Sequence, residues 1–234
     1  MKTLILVAHP TEQDSGTQAF LAQALESANS SEINRRVLTL PAGGHFNAQQ
    51  EMQDVLAADR LVLQFPLYWY SAPAVLHQWF EDCLLSPYKE KLAGKELGLV
   101  VSTGRPSHEF GLGQRQGYSL SELLRPLAAL AIDLGLQLLP PLVIAQFAYQ
   151  TDQQHQQLLV DYQQYLQLPA GYSFADQEKW WIEQLEKRAA QTTDPKKQQI
   201  LALLADQFET RSDRLDDLKD ELALIKQVEE GDEL

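Results

Sequence analysis

The first apolar segment of the chain reads TLILVAHP at residues 3–10, where five apolar residues follow one another before a His-Pro pair. A strand that is apolar on successive residues has both faces covered, as in a parallel sheet. Similar runs recur at 36–40, 60–65, 97–102 and 137–145, and helical patterns separate them at 15–28, 48–58, 72–85, 121–134 and 152–166. This alternation predicts an α/β domain over residues 1–170 with a doubly wound, five-stranded parallel sheet.

Composition limits the classes of function. The 234 residues include 32 acidic and 19 basic side chains, which give a formal net charge of -13. Such a surface repels phosphate backbones and anionic lipid, so we expect neither nucleic acid nor a lipid surface as a partner. The N-terminal apolar run lacks a signal-peptide cleavage site, and Asp133, Gly135 and Pro140 interrupt the apolar stretch at 126–145. We therefore expect a cytoplasmic protein.

The single cysteine, Cys83, excludes an intrachain disulfide. It lies in a predicted helix with one buried face, where a free thiol behaves as a small hydrophobic side chain. The sequence contains no CxxC pair and no cluster of His and Cys, so we expect no metal site.

Residues 171–234 differ in character from the first 170 and predict a helical C-terminal extension. Asp194-Pro195 is typical of a helix start, with aspartate as the cap and proline at the first helical position. Beyond it, apolar residues recur at alternating spacings of three and four, interrupted only by Arg211: Leu201, Leu204, Phe208, Leu215, Leu218, Leu222 and Ile225. This heptad pattern predicts a coiled-coil-like helix, which packs on its own domain, on the same helix of a second subunit or on a different protein.

Three loops follow the first, third and fourth predicted strands, at the edge where doubly wound sheets bind ligands. In the first loop, His9-Pro10 is followed by the run SGTQ at 15–18, where hydroxyls and open N–H groups at a helix start suit a phosphate. The second loop reads PLYWYSAP at 66–73 and offers a rigid aromatic wall to a flat ligand. In the third loop, STGR at 102–105, Gly104 permits close approach of a ligand to the backbone.

Each loop also has a purely structural interpretation. Ser15 alone is an ordinary helix cap, His9-Pro10 an ordinary turn, and the aromatic side chains could pack the rim of the sheet. The coincidence of three such loops at one edge favours a ligand site. They match neither a Walker loop nor the Rossmann glycine fingerprint.

Taken together, these segments resemble the flavodoxin-like NAD(P)H quinone oxidoreductases over residues 2–168. The 66–73 segment is the most specific, and the other matching segments are His9-Pro10, Ser15, Leu92-Ala93-Gly94-Lys95, Thr103-Gly104, Gly135 and Pro140-Pro141. The small bacterial members, which include ancillary proteins of glutathione-regulated potassium-efflux systems, are the most similar in appearance. The resemblance implies a flavodoxin-like sheet of order 2-1-3-4-5, a homodimer, and a flavin that carries hydride from NAD(P)H to quinones by a ping-pong route. It implies FMN, with FAD as the alternative.

Carried over by position, the resemblance implies that one set of residues binds the cofactor. Residues 15–18 and His9 would hold the flavin phosphate, 66–69 would line the ring, and 102–105 would contact its polar edge. The full set is His9, Ser15, Gly16, Thr17, Gln18, Pro66, Leu67, Tyr68, Trp69, Tyr70, Ser102, Thr103, Gly104 and Arg105.

The chain departs from the family pattern at three places. Arg105 stands where a second glycine commonly follows the Thr-Gly pair, and the loop at 86–91 is shorter than usual and lacks a Gly-rich stretch. The Tyr and His that stabilise charge in the larger mammalian-type enzymes have no clear equivalents, since Phe110 occupies the Tyr-like position. The candidates for a catalytic partner of the flavin are therefore Arg105, His108 and Tyr118.

These observations predict a flavin-dependent oxidoreductase that passes electrons from NADPH or NADH to a quinone-like acceptor. The alternative hypothesis is a regulatory flavoprotein subunit that docks on a potassium-efflux transporter through its C-terminal helix, and so lies at the inner membrane through its partner. A phospho-acceptor receiver would need acidic residues where this chain has His9-Pro10 and Pro66-Leu67. An electron-carrier flavodoxin agrees less well with the apolar 67–70 loop.

Overall fold

The computed structural model describes residues 1–84 and 87–231, and beyond residue 211 it describes the side chains of Arg214, Leu218 and Leu222 alone. Leu85 and Ser86, at the junction of the predicted helix 72–85 and the predicted loop 86–91, lie outside the described residues. The chain forms two compact units, Met1–Ala170 and Gly171–Leu234.

A parallel sheet forms the centre of the first unit. Its strands are β1 Thr3–Val7, β2 Ile33–Val37, β3 Arg60–Pro66, β4 Glu96–Thr103, β5 Gln137–Leu138 and β6 Leu142–Ala145. The spatial order is β2-β1-β3-β4-β5, and β6 also pairs with β4. Thr3 of β1 aligns with Ile33 on one side and with Arg60 on the other. The predicted flavodoxin-like order is confirmed, with β5 and β6 together in the place of the fifth strand.

Two predicted strands differ in detail from the structure. The second strand begins three residues before the predicted 36–40, because Asn34 and Arg35 belong to it although they are polar. The guanidinium groups of Arg35 and Arg36 pair with Glu12 and Glu51 respectively, so an edge strand can accommodate them. The prediction of an unbroken strand at 137–145 is wrong. Prolines at 140 and 141 have no N–H to donate, and the strand divides there into β5 and β6.

Helices cover both faces of the sheet. They are α1 Gly16–Ala28, α2 Ala48–Ala57, α3 Ala74–Cys83, α4 Leu120–Leu123, α5 Arg125–Asp133 and α6 Asp152–Gln167. The predicted helix at 121–134 is thus divided between α4 and α5, and a capping box formed by Ser119 and Glu122 begins α4.

The alternation of side chains along β1 builds two separate cores. Leu4 and Leu6 point to the core that includes Met52 of α2 and Trp79 of α3. Ile5, which lies between them, points to the opposite face of the sheet and packs in the core with helices α1 and α6. Every β1 residue is buried, so this position requires apolar side chains from Leu4 to Val7, and the polar Thr3 donates its hydroxyl to the carbonyl of Leu166.

The second unit is a hairpin of two helices, α7 Phe174–Gln191 and α8 Pro195–Gly231. The predicted start of α8 is confirmed, because Asp194 Oδ1 accepts the N–H of Lys196 at 3.0 Å. At a rise of about 1.5 Å per residue, α8 is roughly twice as long as α7 and α7 can cover only part of it. Of the heptad residues, Leu218 and Leu222 are 47% and 57% exposed. The side chains of Leu215 and Ile225 lie outside the described residues.

Among the described residues, no helix is both long and apolar enough to cross a membrane.

A buried arginine lies at the edge of the sheet where the strands begin, opposite the edge that carries the candidate loops. Arg60, at the start of β3, is 1% exposed and pairs with Glu96 at the start of β4 at 2.5 Å. Its guanidinium also donates to the carbonyls of Tyr165 and Leu168, at the end of α6. Glu96 Oε1 in turn accepts the N–H of Ala170. This cluster holds two central strands and the last helix of the unit together.

We predict that Arg60→Met lowers the free energy of unfolding by about 3–5 kcal/mol, because it leaves a partly buried carboxylate and two carbonyls without their cation. Urea denaturation followed by circular dichroism measures the change. The control is Arg125→Met, at an exposed arginine of α5, which should change stability by less than about 0.5 kcal/mol. Equal stability of the two variants would contradict the structural role of Arg60.

Candidate functional site

A cavity of about 280 Å³ lies at the carboxyl ends of β1, β3, β4 and β6. Its position at the reversal of strand order is where doubly wound sheets bind ligands. The lining residues come from four loops: His9, Ser15, Gly16, Thr17, Pro66, Tyr68, Ser102, Thr103, Gly104, Gln146, Phe147, Ala148 and Tyr149. The lining contains hydroxyls, aromatic rings and backbone amides, and it contains no lysine or arginine.

The first loop presents open backbone donors to the cavity. Ser15 caps α1, and its Oγ accepts the N–H of Gln18 at 3.3 Å. Among the described residues, the N–H groups of Gly16 and Thr17 have no hydrogen-bond partner in the protein. Unpaired N–H groups at the start of a 13-residue helix, together with the helix dipole, bind an anion such as a phosphate.

His9 forms a neutral donor beside this helix start. It is 8% exposed, and its Nδ1 accepts the N–H of Thr11 at 3.1 Å. The proton of the neutral ring therefore lies on Nε2. Desolvation by burial lowers the pKa of His9 below 6.5 and outweighs the opposing effects of Glu12 and of the Thr11 hydrogen bond. His9 can thus offer an Nε2–H to a ligand without carrying a charge at neutral pH.

The second loop is a tight turn with unusual backbone angles. Tyr68 and Ser71 bridge its ends, and the two residues between them, Trp69 and Tyr70, have φ values of 51° and 63°. Such angles cost a non-glycine residue about 1–2 kcal/mol. Among the described residues, the N–H groups of Trp69 and Tyr70 have no partner, and the Trp69 side chain is 95% exposed. The turn therefore leaves two adjacent amide donors unpaired, in the residues that follow Tyr68 of the cavity lining.

The third loop brings a small residue to the cavity wall. Thr103 is buried, and its Oγ1 accepts the N–H of Arg105 at 3.1 Å. A Cβ placed on Gly104 would have no heavy atom within 4 Å, so this side of the loop faces open space. The Arg105 side chain is exposed and is not part of the lining.

The structure brings most of the predicted binding residues together, and the others lie around them. Gln18 is buried beneath the helix start, where its Oε1 accepts from Gln64 at 2.5 Å. Leu67 packs against the core. Trp69, Tyr70, Arg105, His108 and Tyr118 are exposed outside the lining, and the Tyr70 hydroxyl donates to Gln116 at 3.0 Å.

The fourth wall of the cavity was not predicted from the sequence, because its residues carry no recognisable motif: Gln146, Phe147, Ala148 and Tyr149. The signal that could have found them is topological: β6 pairs with β4, so the loop after β6 must reach the same edge as Gly104.

A second cavity, of about 510 Å³, lies at the ends of β1 and β2 and shares only His9 with the first. Its lining includes the carboxylates of Glu12 and Asp14 and lacks an open helix start. The larger cavity is therefore the less suitable for an anionic ligand.

The described residues contain no group of three or more side chains that could hold a metal ion. Cys83 is fully buried, and desolvation raises the pKa of its thiol to about 12. A thiol with this pKa is unreactive at neutral pH.

Comparison with known proteins agrees with this geometry. A family model described as flavodoxin-like fold matches residues 1–167. The chain therefore belongs to the family of proteins with that fold. The uncharacterized NAD(P)H oxidoreductase YdeQ of Bacillus subtilis (strain 168) is 36% identical over 148 residues, which are 60% of this chain and 73% of YdeQ. The potassium-efflux ancillary protein KefG of Cronobacter sakazakii is 32% identical, over 61% of this chain and 80% of KefG.

Two solved structures are also similar. The NADPH-quinone reductase from P. pentosaceus is 41% identical, with a TM-score of 0.69, over 73% of this chain and all of that chain. General stress protein 14 from Treponema denticola, in complex with FMN, is 26% identical, with a TM-score of 0.62, over 71% of this chain and 96% of that chain. NAD(P)H oxidoreductases and quinone reductases are thus the relatives of this chain.

We predict that His9 titrates with a midpoint below 6.5 and is an Nε2–H tautomer when neutral, as measured by NMR of the imidazole without added flavin. The unfolded ring binds its proton near pH 6.5, whereas the folded ring does so only at lower pH. The free energy of unfolding should therefore fall as the pH drops below 6.5. The same stability slope in His9→Gln, or a midpoint at or above 6.5, would contradict the assignment.

Proposed function

We propose that the cavity binds FMN and that the protein transfers electrons from NAD(P)H to a quinone-like acceptor. The observation that carries the proposal is the start of α1, where the unpaired N–H groups belong to Gly16 and Thr17 of the cavity lining. The N–H groups of Trp69 and Tyr70, which follow Tyr68 of the lining, are also unpaired among the described residues.

The chemistry of the lining fits this cofactor. A phosphate requires donors, and the start of α1 offers two free N–H groups, the hydroxyls of Ser15 and Thr17, and the Nε2–H of His9. An isoalloxazine ring requires apolar faces and donors along one edge, which Pro66, Tyr68 and the strained turn supply. FMN that is bound there supplies hydride acceptance and donation, which no side chain of the chain provides.

The protein's own contribution is orientation and electrostatics. The turn at Trp69 and Tyr70 would fix the ring edge by backbone donors that need no rearrangement when charge develops. Arg105 forms no ion pair among the described residues and lies next to Gly104, so its guanidinium is our candidate for the cation near the ring. His108 and Tyr118, both exposed on the same loop, are candidates for contact with the acceptor.

A homodimer belongs to the proposal. The Trp69, Tyr70 and Tyr118 side chains are exposed, and Trp69 and Tyr70 directly follow Tyr68 of the cavity lining. A second subunit there would exclude water from the acceptor site and cover these aromatic side chains.

We predict that Gly104→Trp weakens FMN binding by at least about 100-fold, equivalent to roughly 3 kcal/mol. The new indole would enter the cavity, where a Cβ meets no other atom, so the protein should fold normally while the ligand is excluded. Quenching of FMN fluorescence during titration into the flavin-free protein measures the affinity.

Gly43→Trp is the matched control, because Gly43 also has no atom within 4 Å of a built Cβ but does not line the cavity. It should bind FMN as the unchanged protein does. If Gly104→Trp is folded and binds FMN with the affinity of the unchanged protein, the assignment of this loop to the flavin is wrong.

A second candidate function is a regulatory flavoprotein subunit. Two observations favour it: the similarity to KefG, and the helical hairpin that follows the residues matched by the family model. The hairpin would dock on a potassium-efflux transporter. The two roles are compatible, because a regulatory subunit that binds flavin can also catalyse quinone reduction.

Deletion of residues 171–234 distinguishes the roles. If the protein is an enzyme alone, the first unit keeps its own core and quinone reduction should stay within about twofold. If it is also a regulator, the truncated chain should lose binding to the reconstituted transporter while it still reduces quinone. Binding of the intact chain is measured in parallel, and failure of the intact chain to bind would contradict the regulatory role.

A further inference from the structure

The segment after β6 is fixed firmly against the rest of the cavity. The N–H of Gln146 donates to the carbonyl of Thr103 at 2.8 Å, and the N–H of Tyr149 donates to the carbonyl of Gln146 at 2.8 Å. His155 Nε2 lies 3.2 Å from the carbonyl oxygen of Phe147. The two rings of this pair also contact each other, with centroids 4.5 Å apart. The backbone of this wall is therefore determined by hydrogen bonds and packing on both sides.

Gln146 adopts a backbone conformation that its residue type does not favour. Its φ and ψ are 48° and 45°, in the left-handed region. Four described non-glycine residues have positive φ, and one of them, Asn29, is a residue type that tolerates it at the end of a helix. Glycine would adopt these angles at Gln146 without strain. Strain of this kind clusters at ligand sites, so the presence of a long amide side chain here requires an explanation.

The segment runs from the ring end of the cavity toward its phosphate end. Gln146 is hydrogen-bonded to Thr103, next to Gly104. A Cβ built on Gly16, at the helix start, would lie 4.0 Å from the Phe147 ring. Gln146 itself is one of the residues that line the cavity. In FMN, the part between ring and phosphate is the ribityl chain, which carries hydroxyl groups that both donate and accept.

We infer that Gln146 is a flavin-binding residue whose side-chain amide recognises the ribityl hydroxyls; the inference rests on the flavin site proposed above. An amide donates through nitrogen and accepts through oxygen, so it can satisfy a hydroxyl in either role. The cavity lining has no cation, and a neutral recognition group agrees with that chemistry.

The test compares Gln146→Gly and Gln146→Met with the unchanged protein, using FMN, riboflavin and lumiflavin as ligands. Lumiflavin has the ring without the ribityl chain. Gln146→Gly relieves the backbone strain, so its melting temperature should be unchanged or raised by up to about 3 °C. Its dissociation constants for FMN and riboflavin should nevertheless rise about 3- to 10-fold, and that for lumiflavin should not change.

Gln146→Met separates the amide from the backbone, because methionine keeps the strain and the length but has no amide. It should weaken FMN binding to the same extent as glycine. Asn29→Gly is the control for strain relief at a left-handed residue outside the cavity, and it should leave FMN affinity unchanged.

Several outcomes would overturn the inference. FMN binding by both Gln146 variants with the affinity of the unchanged protein would show that the amide makes no contact. Equal weakening for lumiflavin would remove the ribityl assignment. If the unchanged protein binds FMN and the variants give either of these results, the inference about Gln146 is wrong and the proposed flavin site is unaffected. If the unchanged protein binds none of the three flavins, the proposed function fails and the inference fails with it.

Discussion

Three backbone hydrogen bonds at the carboxyl edge of the sheet hold together everything that forms the site. Ala8 N–H donates to Gln64 O at 2.9 Å, Leu67 N–H to Ser102 O at 2.8 Å, and Gln146 N–H to Thr103 O at 2.8 Å. Each bond continues a strand pairing into the loop beyond it. Four segments that are far apart in sequence are therefore fixed beside one another before any ligand arrives, and a preorganised site loses little entropy on binding.

The proposed site would have an acidic protein bind an anionic cofactor without a cation in the cavity lining. The chain has a net charge of -13, and the cavity lining contains neither lysine nor arginine. Attraction of a phosphate would therefore be local, from the start of α1 and from neutral donors. A buried chain of hydrogen bonds supports that helix start: Tyr162 donates to Gln64 at 2.7 Å, and Gln64 donates to Gln18. Burial raises the pKa of Tyr162, so its hydroxyl remains a donor at any physiological pH.

Much of the fold could be predicted from local patterns. The apolar run Leu4–Val7 of β1 indicates a strand covered on both faces, and the capped starts of α1 and α8 are visible as Ser15 and Asp194. The start of β2 could not be predicted from hydropathy, because the charge of Arg35 is paired by Glu12, which is distant in sequence. The break before β6 follows from two prolines.

The site could also be predicted in part from local sequence patterns. Loops such as PLYWYSAP carry their chemistry in residue types, so a sequence pattern reveals them. The left-handed backbone at Trp69, Tyr70 and Gln146 is imposed by tertiary contacts against local preference, and no propensity indicates it. The exposure of the Arg105 side chain likewise depends on how its loop folds, which its neighbours in sequence do not determine.

The visible spectrum of the purified protein, loaded with FMN and followed without oxygen, tests the proposed flavin chemistry directly. We expect the yellow protein to bleach when NADPH or NADH is added, and its colour to return when menadione follows. A protein that remains colourless with FMN present would contradict the flavin site. A yellow protein that neither nucleotide bleaches would contradict the oxidoreductase function while leaving the site intact.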